Sequence, residues 1–213
     1  MVDFQSRETR RGSLTDDEPD EETPANGDPA DEDHTAEHAD ETETPAAEEP
    51  DVKRGIAVIT VGGTDETENG DPTSEAVVSS LERAGETVVA RERADATYDS
   101  VQGTVDRMFG RRNVSAIVTV GKIGIGHSDV TVEAVEPLLE KRMPGFGELF
   151  RVQYFDHVGP AVVGMRPMAG VSDGVPVFCL PEEPDAARFA VETILAETLD
   201  TLVTAASGGE ASN

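Results

Sequence analysis

The sequence is poor in positive charge, in cysteine and in aromatic residues. Of its 213 residues, 17 are lysine or arginine and 44 are aspartate or glutamate, so the formal net charge is −27. This balance argues against nucleic acid as a partner, because binding to its phosphates requires a basic face. There is no tryptophan, and the single cysteine, Cys179, cannot form an internal disulfide. Its place in the apolar run 175–180 predicts a small core residue.

Long apolar runs are also absent. No run of about 18 apolar residues could span a bilayer, and the acidic N-terminus lacks the apolar centre of a secretory signal. We therefore expect a cytoplasmic protein with no membrane partner. The acidic composition, with lysine only at Lys53, Lys122 and Lys141, suggests a protein suited to high salt, where screening weakens self-repulsion. A merely acidic protein is the alternative.

Composition divides the chain into a tail and a domain. Residues 1–54 contain 19 acidic and 5 basic residues. Between Leu14 and Val52 no apolar side chain is larger than those of alanine and proline. Such a segment cannot bury enough apolar surface to offset the entropy lost on ordering. We therefore predict a disordered acidic tail at 1–54, a domain at 55–204, and a disordered C-terminus at 205–213.

Within the domain, apolar runs alternate with helical patterns. Runs typical of buried strands occur at 56–61, 87–90, 114–120 and 175–180. Helical periodicity occurs at 72–84, 97–110 and 184–203. This alternation predicts an α/β fold: a doubly wound, mostly parallel sheet with helices on both faces.

The run 114–120 leads into a glycine-spaced loop. Glycines stand at Gly121, Gly124 and Gly126, and the polar Ser128 follows. In open α/β proteins this order places a loop between the carboxyl end of a strand and the start of a helix, where phosphate binds well. Glycine also lets the backbone approach a ligand closely. An ordinary tight turn between strand and helix is the alternative.

Beyond the loop, the sequence predicts a helix that ends near Lys141 and Arg142. A turn at 144–148 and a short helix through Phe155 are expected next. The apolar segment 158–165 is expected to be extended.

Two aspartates follow neighbouring strands. Asp95 comes after the second predicted strand, and Asp129 comes after the third. Because parallel strands end at the same edge of a sheet, we expect the two carboxylates to converge on one crevice. Paired carboxylates there are suited to Mg²⁺, which bridges the phosphates of a nucleotide. The alternative is that each aspartate only caps the helix that follows it.

The segment from Asp129 to Glu148 resembles the MoaB/MogA family of molybdenum cofactor biosynthesis proteins, which also includes the G domain of gephyrin. The residues that carry the resemblance are D-V-T, then E-A, then P-G-F-G-E. It covers roughly residues 55–203. The resemblance implies the MoaB/MogA fold, a homotrimer and molybdopterin as ligand. If the chain is an enzyme, it implies transfer of AMP from Mg²⁺-bound ATP to molybdopterin. A non-catalytic paralogue, acting as a ligand carrier, scaffold or regulatory partner, is the alternative.

The resemblance also implies roles for individual residues. Asp95 and Asp129 would position the substrate and Mg²⁺ as catalytic residues. Together with the strand–loop–helix order, the resemblance leads us to expect substrate or phosphate binding by Gly121, Lys122, Gly124, Gly126, Ser128, Asp71, Thr73, Glu148 and Arg166. Asp71 and Thr73 match the family's D-x-S-G segment, with threonine for serine. Glu148 would lie near the pterin. The alternatives are a helix cap for Asp71 and surface positions for Glu148 and Lys122.

Three further segments depart from the family pattern. Where the family has S-R-A, this chain has M-R-P at 165–167, which keeps Arg166 and loses the serine. Where the family has T-G-G-T-G, this chain has V-G-K-I-G at 120–124, and Lys122 is expected to compensate by pairing with a phosphate. Where the family has L-P-G-S-P-K, this chain has L-P-E-E-P-D at 180–185. Glu182 and Glu183 there repel a phosphate, which favours the non-catalytic alternative.

Overall fold

The computed structural model describes residues 55–62 and 71–208. The predicted tail at 1–54 and most of the predicted C-terminal segment lie outside these residues. The six strands of the described sheet are β1 Gly55–Val61, β2 Val88–Ala94, β3 Val114–Val120, β4 Lys141–Arg142, β5 Met168–Ser172 and β6 Val175–Leu180. The α-helices are α1 Pro72–Arg83, α2 Tyr98–Phe109, α3 Thr131–Val135, α4 Pro144–Val158, α5 Pro184–Ala190 and α6 Ala196–Ala206.

The sheet has the strand order β2-β1-β3-β6-β5-β4. The first four strands in this order are parallel, whereas β5 pairs antiparallel with both β6 and β4. The predicted α/β fold with a mostly parallel sheet is therefore confirmed. Because β1, β2, β3 and β6 run in the same direction, they all end at one edge of the sheet, and the loops that follow them meet there.

Both faces of the sheet are covered by helices, because successive side chains of a strand point to opposite faces. Val58, Val118 and Phe178 face a core formed with α1, α4, α5 and α6. Their neighbours, such as Ile117 and Cys179, face a second core formed with α2 and α3. Cys179 is fully buried, as predicted, and burial raises the pKa of its thiol to about 12.

The predicted helix after the glycine loop is shorter than expected. α3 ends at Val135, a 3-10 turn spans Glu136–Leu138, and the chain then becomes extended. Pro137 lies in this turn and cannot donate the backbone hydrogen bond that would continue a helix. Lys141 and Arg142 are therefore not the end of a helix but strand β4, paired with β5.

The structure of the P-G-F-G-E segment also differs from the predicted turn. It is not a turn but the beginning of α4, because Pro144 suits the first position of a helix. The helix extends to Val158 instead of ending at Phe155. The segment 158–165 is not extended, since Gly159–Gly164 forms a 3-10 helix.

The last helix runs further than predicted. It starts at Pro184 as expected, passes through a π-helical segment at Val191–Leu195, and ends at Ala206 instead of Val203. No helix in the part of the chain that the structure describes is long and apolar enough to cross a membrane.

Candidate functional site

A crevice lies where β1, β3 and β6 end. It consists of two cavities with volumes of about 400 Å³ and about 310 Å³. The first is lined by the ends of β1 and β3, the start of α1, and residues 182–184. The second is lined by residues 123–126, Asp129 and part of the segment 161–165. Glu182 and Glu183 line both cavities, so we treat the two as one crevice.

The glycine loop begins at a position that only glycine can occupy without strain. Gly121 has a φ of 102°, and a Cβ atom there would lie 2.9 Å from the carbonyl oxygen of Val61. Its N–H donates to the carbonyl oxygen of Leu180 at 2.9 Å. Its own carbonyl oxygen accepts a 2.8 Å hydrogen bond from the buried hydroxyl of Thr131. These contacts hold the start of the loop between β1 and β6.

The rest of the loop folds around the carboxylate of Asp129. Oδ2 of Asp129 accepts a hydrogen bond from the N–H of Gly126 at 2.7 Å. A Cβ atom on Gly124 or on Gly126 would approach Oδ2 to 2.6 Å or 2.8 Å. Asp129 does not cap α3, whose N-cap is Val130 without a side-chain hydrogen bond. The alternative of a simple cap is therefore not observed for Asp129.

Asp95 lies elsewhere on the same edge of the sheet. It is exposed, follows the end of β2, and lines neither of the two cavities. Its N–H donates to the hydroxyl of Ser100 at 3.0 Å. It does not cap α2 either, because the N-cap is Thr97. Among the described residues, no group of three or more His, Cys, Asp or Glu side chains could hold a metal ion.

Asp71 and Thr73 form the α1 side of the first cavity. Oδ1 of Asp71 accepts hydrogen bonds from the N–H groups of Thr73 and Ser74, both at 2.9 Å, so Asp71 caps α1. Asp71 lines the cavity as well. The hydroxyl of Thr73 donates to the carbonyl oxygen of Glu182 at 2.5 Å. The start of α1 is thereby tied to the segment that follows β6.

The lysine of the loop pairs with a glutamate of the opposite wall. Nζ of Lys122 donates to Oε2 of Glu182 at 2.8 Å. This hydrogen bond raises the pKa of Lys122. Each of the two residues replaces a small residue of a family segment, and their contact could not be predicted because they lie 60 positions apart.

Arg166 braces the glycine loop. Its Nε donates to the carbonyl oxygens of Ile123 and Gly124 at 3.2 Å and 2.7 Å. One terminal nitrogen donates to the carbonyl oxygen of Asp129 at 3.3 Å, and the other pairs with Glu133 at 2.5 Å. The hydrogen bond from Arg166 lowers the pKa of Glu133. Sequence reasoning missed this role, because Arg166 is far from the loop along the chain.

The remaining predicted residues lie outside these contacts. Ser128 is exposed in the turn before Asp129. Glu148 is exposed on α4 and lines neither cavity. Ile123, where the family has threonine, is only 3% exposed and packs in the second core. Ile123 therefore packs in the core and also lines the second cavity.

Comparisons with known proteins agree with this architecture. A family model described as a probable molybdopterin binding domain matches residues 57–201. The molybdenum cofactor biosynthesis protein B of Bacillus subtilis is 34% identical over 157 residues, which cover 73% of this chain and 91% of that protein. The corresponding protein of Escherichia coli K12 is 29% identical over 145 residues, 68% of this chain and 85% of that protein.

Solved structures show the same likeness. A crystal structure of molybdenum cofactor biosynthesis protein B matches with a TM-score of 0.68 and 29% identity, covering 73% of this chain and 97% of that chain. The tungsten cofactor synthesizing protein MoaB from Pyrococcus furiosus matches with a TM-score of 0.64 and 26% identity, covering 73% and 98%. The family-model match at 57–201 includes every residue that lines the two cavities. The chain therefore belongs to the MoaB/MogA family of molybdenum cofactor biosynthesis proteins.

Proposed function

We propose that this protein acts in molybdenum cofactor biosynthesis by binding molybdopterin in the crevice at the carboxyl edge of the sheet. The observation that carries the proposal is the position of the loop 121–126, which lines both cavities. The loop joins the carboxyl end of a strand to the start of a helix, a place where phosphate groups commonly bind in α/β proteins. The family model for molybdopterin binding covers all of these residues.

The second cavity suits the pterin part of the ligand. It combines the carboxylate of Asp129 with the apolar side chains of Ile125 and Met165. A carboxylate accepts hydrogen bonds from the N–H groups of a pterin ring, and apolar side chains pack against its faces. Ile125 is 80% exposed and is therefore free to contact a ligand.

The reaction that we assign to the loaded crevice is adenylyl transfer from ATP. A phosphate oxygen of molybdopterin attacks the α-phosphorus of ATP, the bond to the β-phosphate oxygen breaks, and pyrophosphate leaves. Bound Mg²⁺ would neutralise charge on the reacting phosphates. Magnesium is commonly held by one or two carboxylates together with substrate phosphates, and Asp129 fits that mode. Asp95 would serve only as a more distant second carboxylate, since it lines neither cavity.

A non-catalytic carrier is the second candidate function. It is favoured by the charges of the first cavity, where Asp71, Glu182 and Glu183 contribute three carboxylates. The two cations nearest to the loop already have partners, because Lys122 pairs with Glu182 and Arg166 pairs with Glu133. In this version the crevice holds molybdopterin and passes it on without using ATP.

Calorimetry under anaerobic conditions tests the binding proposal. The full-length chain should bind molybdopterin, and Asp129→Asn should weaken binding by about tenfold or more, the effect of removing a hydrogen bond to a charged group. Asparagine keeps an acceptor for the N–H of Gly126. The matched control is Asp106→Asn on the exposed side of α2, which should bind like the natural chain. If the natural chain does not bind molybdopterin, the proposal is wrong.

Product analysis separates the two versions of the function. Incubation of the molybdopterin complex with ATP and Mg²⁺ should release pyrophosphate and form the adenylylated pterin if the chain is an enzyme. Full binding of molybdopterin without pyrophosphate release would identify a carrier. The same Asp129→Asn variant shows whether any release depends on this crevice.

We also propose that the protein forms a homo-oligomer, in line with the trimer that the family resemblance implies. The support is an apolar surface on α4, which we define as Leu149, Val152 and Phe155. These residues are spaced three apart and are 41%, 73% and 48% exposed. Contiguous exposed apolar surface commonly marks a protein interface.

A further inference from the structure

The ion pair between Lys122 and Glu182 connects the two walls of the crevice. Lys122 belongs to the loop after β3, and Glu182 belongs to the segment after β6. The side chain of Lys122 is 26% exposed and that of Glu182 is 53% exposed. Glu182 lines both cavities, so the pair stands where a ligand would pass from one cavity to the other.

The backbone at both ends of the pair is fixed. Lys122 has a φ of 57°, in the left-handed region, and its carbonyl oxygen accepts a 3.0 Å hydrogen bond from Thr131. Its aliphatic stem lies against Gly62, where a Cβ atom would approach Cε to 3.1 Å. The carbonyl oxygen of Glu182 accepts a hydrogen bond from the hydroxyl of Thr73. Rearrangement at this place therefore involves the side chains, and the half-exposed Glu182 is the one that has room to move.

The first cavity has an excess of negative charge, which makes the Lys122–Glu182 pair important for a phosphate that enters it. Among the residues that line this cavity in the described part of the chain, Lys122 is the one cation, beside Asp71, Glu182 and Glu183. A phosphate that enters this cavity can pair with a cationic side chain of its lining only by taking Lys122 from Glu182. A phosphate oxygen is a strong acceptor for an ammonium group, as is a carboxylate oxygen.

We propose that Glu182 is an internal counter-ion that ligand phosphate replaces on Lys122, and that this exchange makes the dependence of phosphate binding on salt weaker than it would be without Glu182. The proposal rests on the proposed function, because it concerns the phosphate side of the same crevice. Salt screens the bond that is broken and the bond that is formed in the same way. Binding then exchanges one ion pair for another instead of creating a new one. Glu182 is thus a positioning residue for Lys122, not a catalytic residue.

The test compares two substitutions, each of which removes one negative charge from the crevice. Glu182→Gln removes the partner of Lys122, whereas Glu183→Gln removes a carboxylate that also lines both cavities. Binding of pyrophosphate to the full-length protein is measured by calorimetry from about 0.1 M to about 1 M potassium chloride. Over this range the Debye length falls from about 10 Å to about 3 Å.

At the low salt concentration, Glu182→Gln should bind pyrophosphate about two- to fivefold more tightly than Glu183→Gln, the range expected for a half-exposed ion pair. The ratio should approach one at the high salt concentration. In a Lys122→Met background, the affinities of the Glu182→Gln and Glu183→Gln variants should be equal at every salt concentration. Glu182→Asp, which keeps the charge, should restore the weak salt dependence of the natural chain.

Three other results have distinct meanings. Equal affinities of the two glutamine variants at every salt concentration would overturn the inference and leave the proposed function in place, because only net charge would matter. A ratio that does not change with salt would overturn it too. Absence of pyrophosphate binding by the natural chain and all variants would contradict a phosphate site in this crevice, and the inference would fall with it.

Discussion

Nε of Arg166 donates a 2.7 Å hydrogen bond to the carbonyl oxygen of Gly124, a residue 42 positions earlier in the chain. Together with the hydrogen bonds from Arg166 to the carbonyl oxygens of Ile123 and Asp129, this contact fixes the curvature of the glycine loop. The guanidinium group is therefore occupied by the protein itself. We therefore expect Arg166 to affect ligand binding through the shape of the loop.

We expect Arg166→Met to lower the free energy of unfolding by about 1–3 kcal/mol, since the substitution leaves several loop carbonyls without their donor. Chemical denaturation followed by circular dichroism measures this change. Arg112→Met is the matched control, because Arg112 is exposed and should contribute within about 0.5 kcal/mol. Equal stability of the two variants would show that Arg166 does not brace the loop.

The backbone of Gly121 gives a second expectation. Gly121→Ala places a Cβ atom 2.9 Å from the carbonyl oxygen of Val61 at a φ of 102°, so it should destabilise the protein by about 1–3 kcal/mol. Gly145→Ala is the control, because a Cβ atom there meets nothing within 4 Å. Gly145 lies in α4, where alanine should be neutral or stabilising by up to about 1 kcal/mol. Both values come from urea denaturation, and a harmless Gly121→Ala would contradict the close approach of β1 and the loop.

The Lys122–Glu182 pair predicts a dependence of stability on pH. The hydrogen bond to Glu182 raises the pKa of Lys122 in the folded protein above that of an unfolded lysine, which is about 10.4. The stability contributed by the pair is therefore complete below the unfolded value and is lost as pH rises through the folded pKa. The difference in unfolding free energy between the natural chain and Glu182→Gln should be constant near neutral pH and should shrink in strongly alkaline solution.

Nuclear magnetic resonance gives a direct check of the same prediction. Lysine labelled with ¹³C at Cε yields signals from only three residues, Lys53, Lys122 and Lys141, and Lys122→Arg identifies the signal of Lys122. Glu182→Gln should lower the pKa of Lys122, whereas Glu183→Gln should leave it closer to the value of the natural chain. A Lys122 signal that titrates identically in all three proteins would contradict the pair.

The apolar surface on α4 predicts self-association. Val152→Glu places a charge among Leu149 and Phe155, which should reduce the molar mass in solution from that of a trimer toward that of one chain. Size-exclusion chromatography with light scattering measures the mass. Tyr98→Glu on α2 is the control, because it changes an exposed aromatic residue outside this surface. If both variants keep the mass of the natural protein, α4 is not the interface.

Much of the parallel part of the fold could be predicted from the sequence. The run at 56–61 is almost wholly buried in β1, and 114–120 forms β3, because uninterrupted apolar runs have few alternatives in an α/β protein. The Asp71-Pro72 pair also predicted the start of α1 correctly. Local chemistry was sufficient in these cases, since capping and the first turn of a helix depend on adjacent residues.

Structure that depends on distant pairing could not be predicted. β4 is two residues long and exists only because β5 lies beside it. The P-G-F-G-E segment has the glycines that are typical of a turn. Gly147 is instead needed because α4 packs closely against the backbone at Pro167, where a Cβ atom on Gly147 would lie 2.4 Å from the carbonyl oxygen. In the crevice, the contacts of Lys122 with Glu182 and of Arg166 with the loop join residues about 40 to 60 positions apart.

The burial of Cys179 has a practical consequence for experiments on the crevice. The sequence contains no other cysteine, and this thiol is fully buried with a pKa of about 12, so little of it is the reactive thiolate near neutral pH. A cysteine introduced at the exposed Ile125 by Ile125→Cys would be the site that a maleimide reagent modifies in the folded protein. A fluorophore attached there would report ligand entry at the mouth of the second cavity without removal of the natural cysteine.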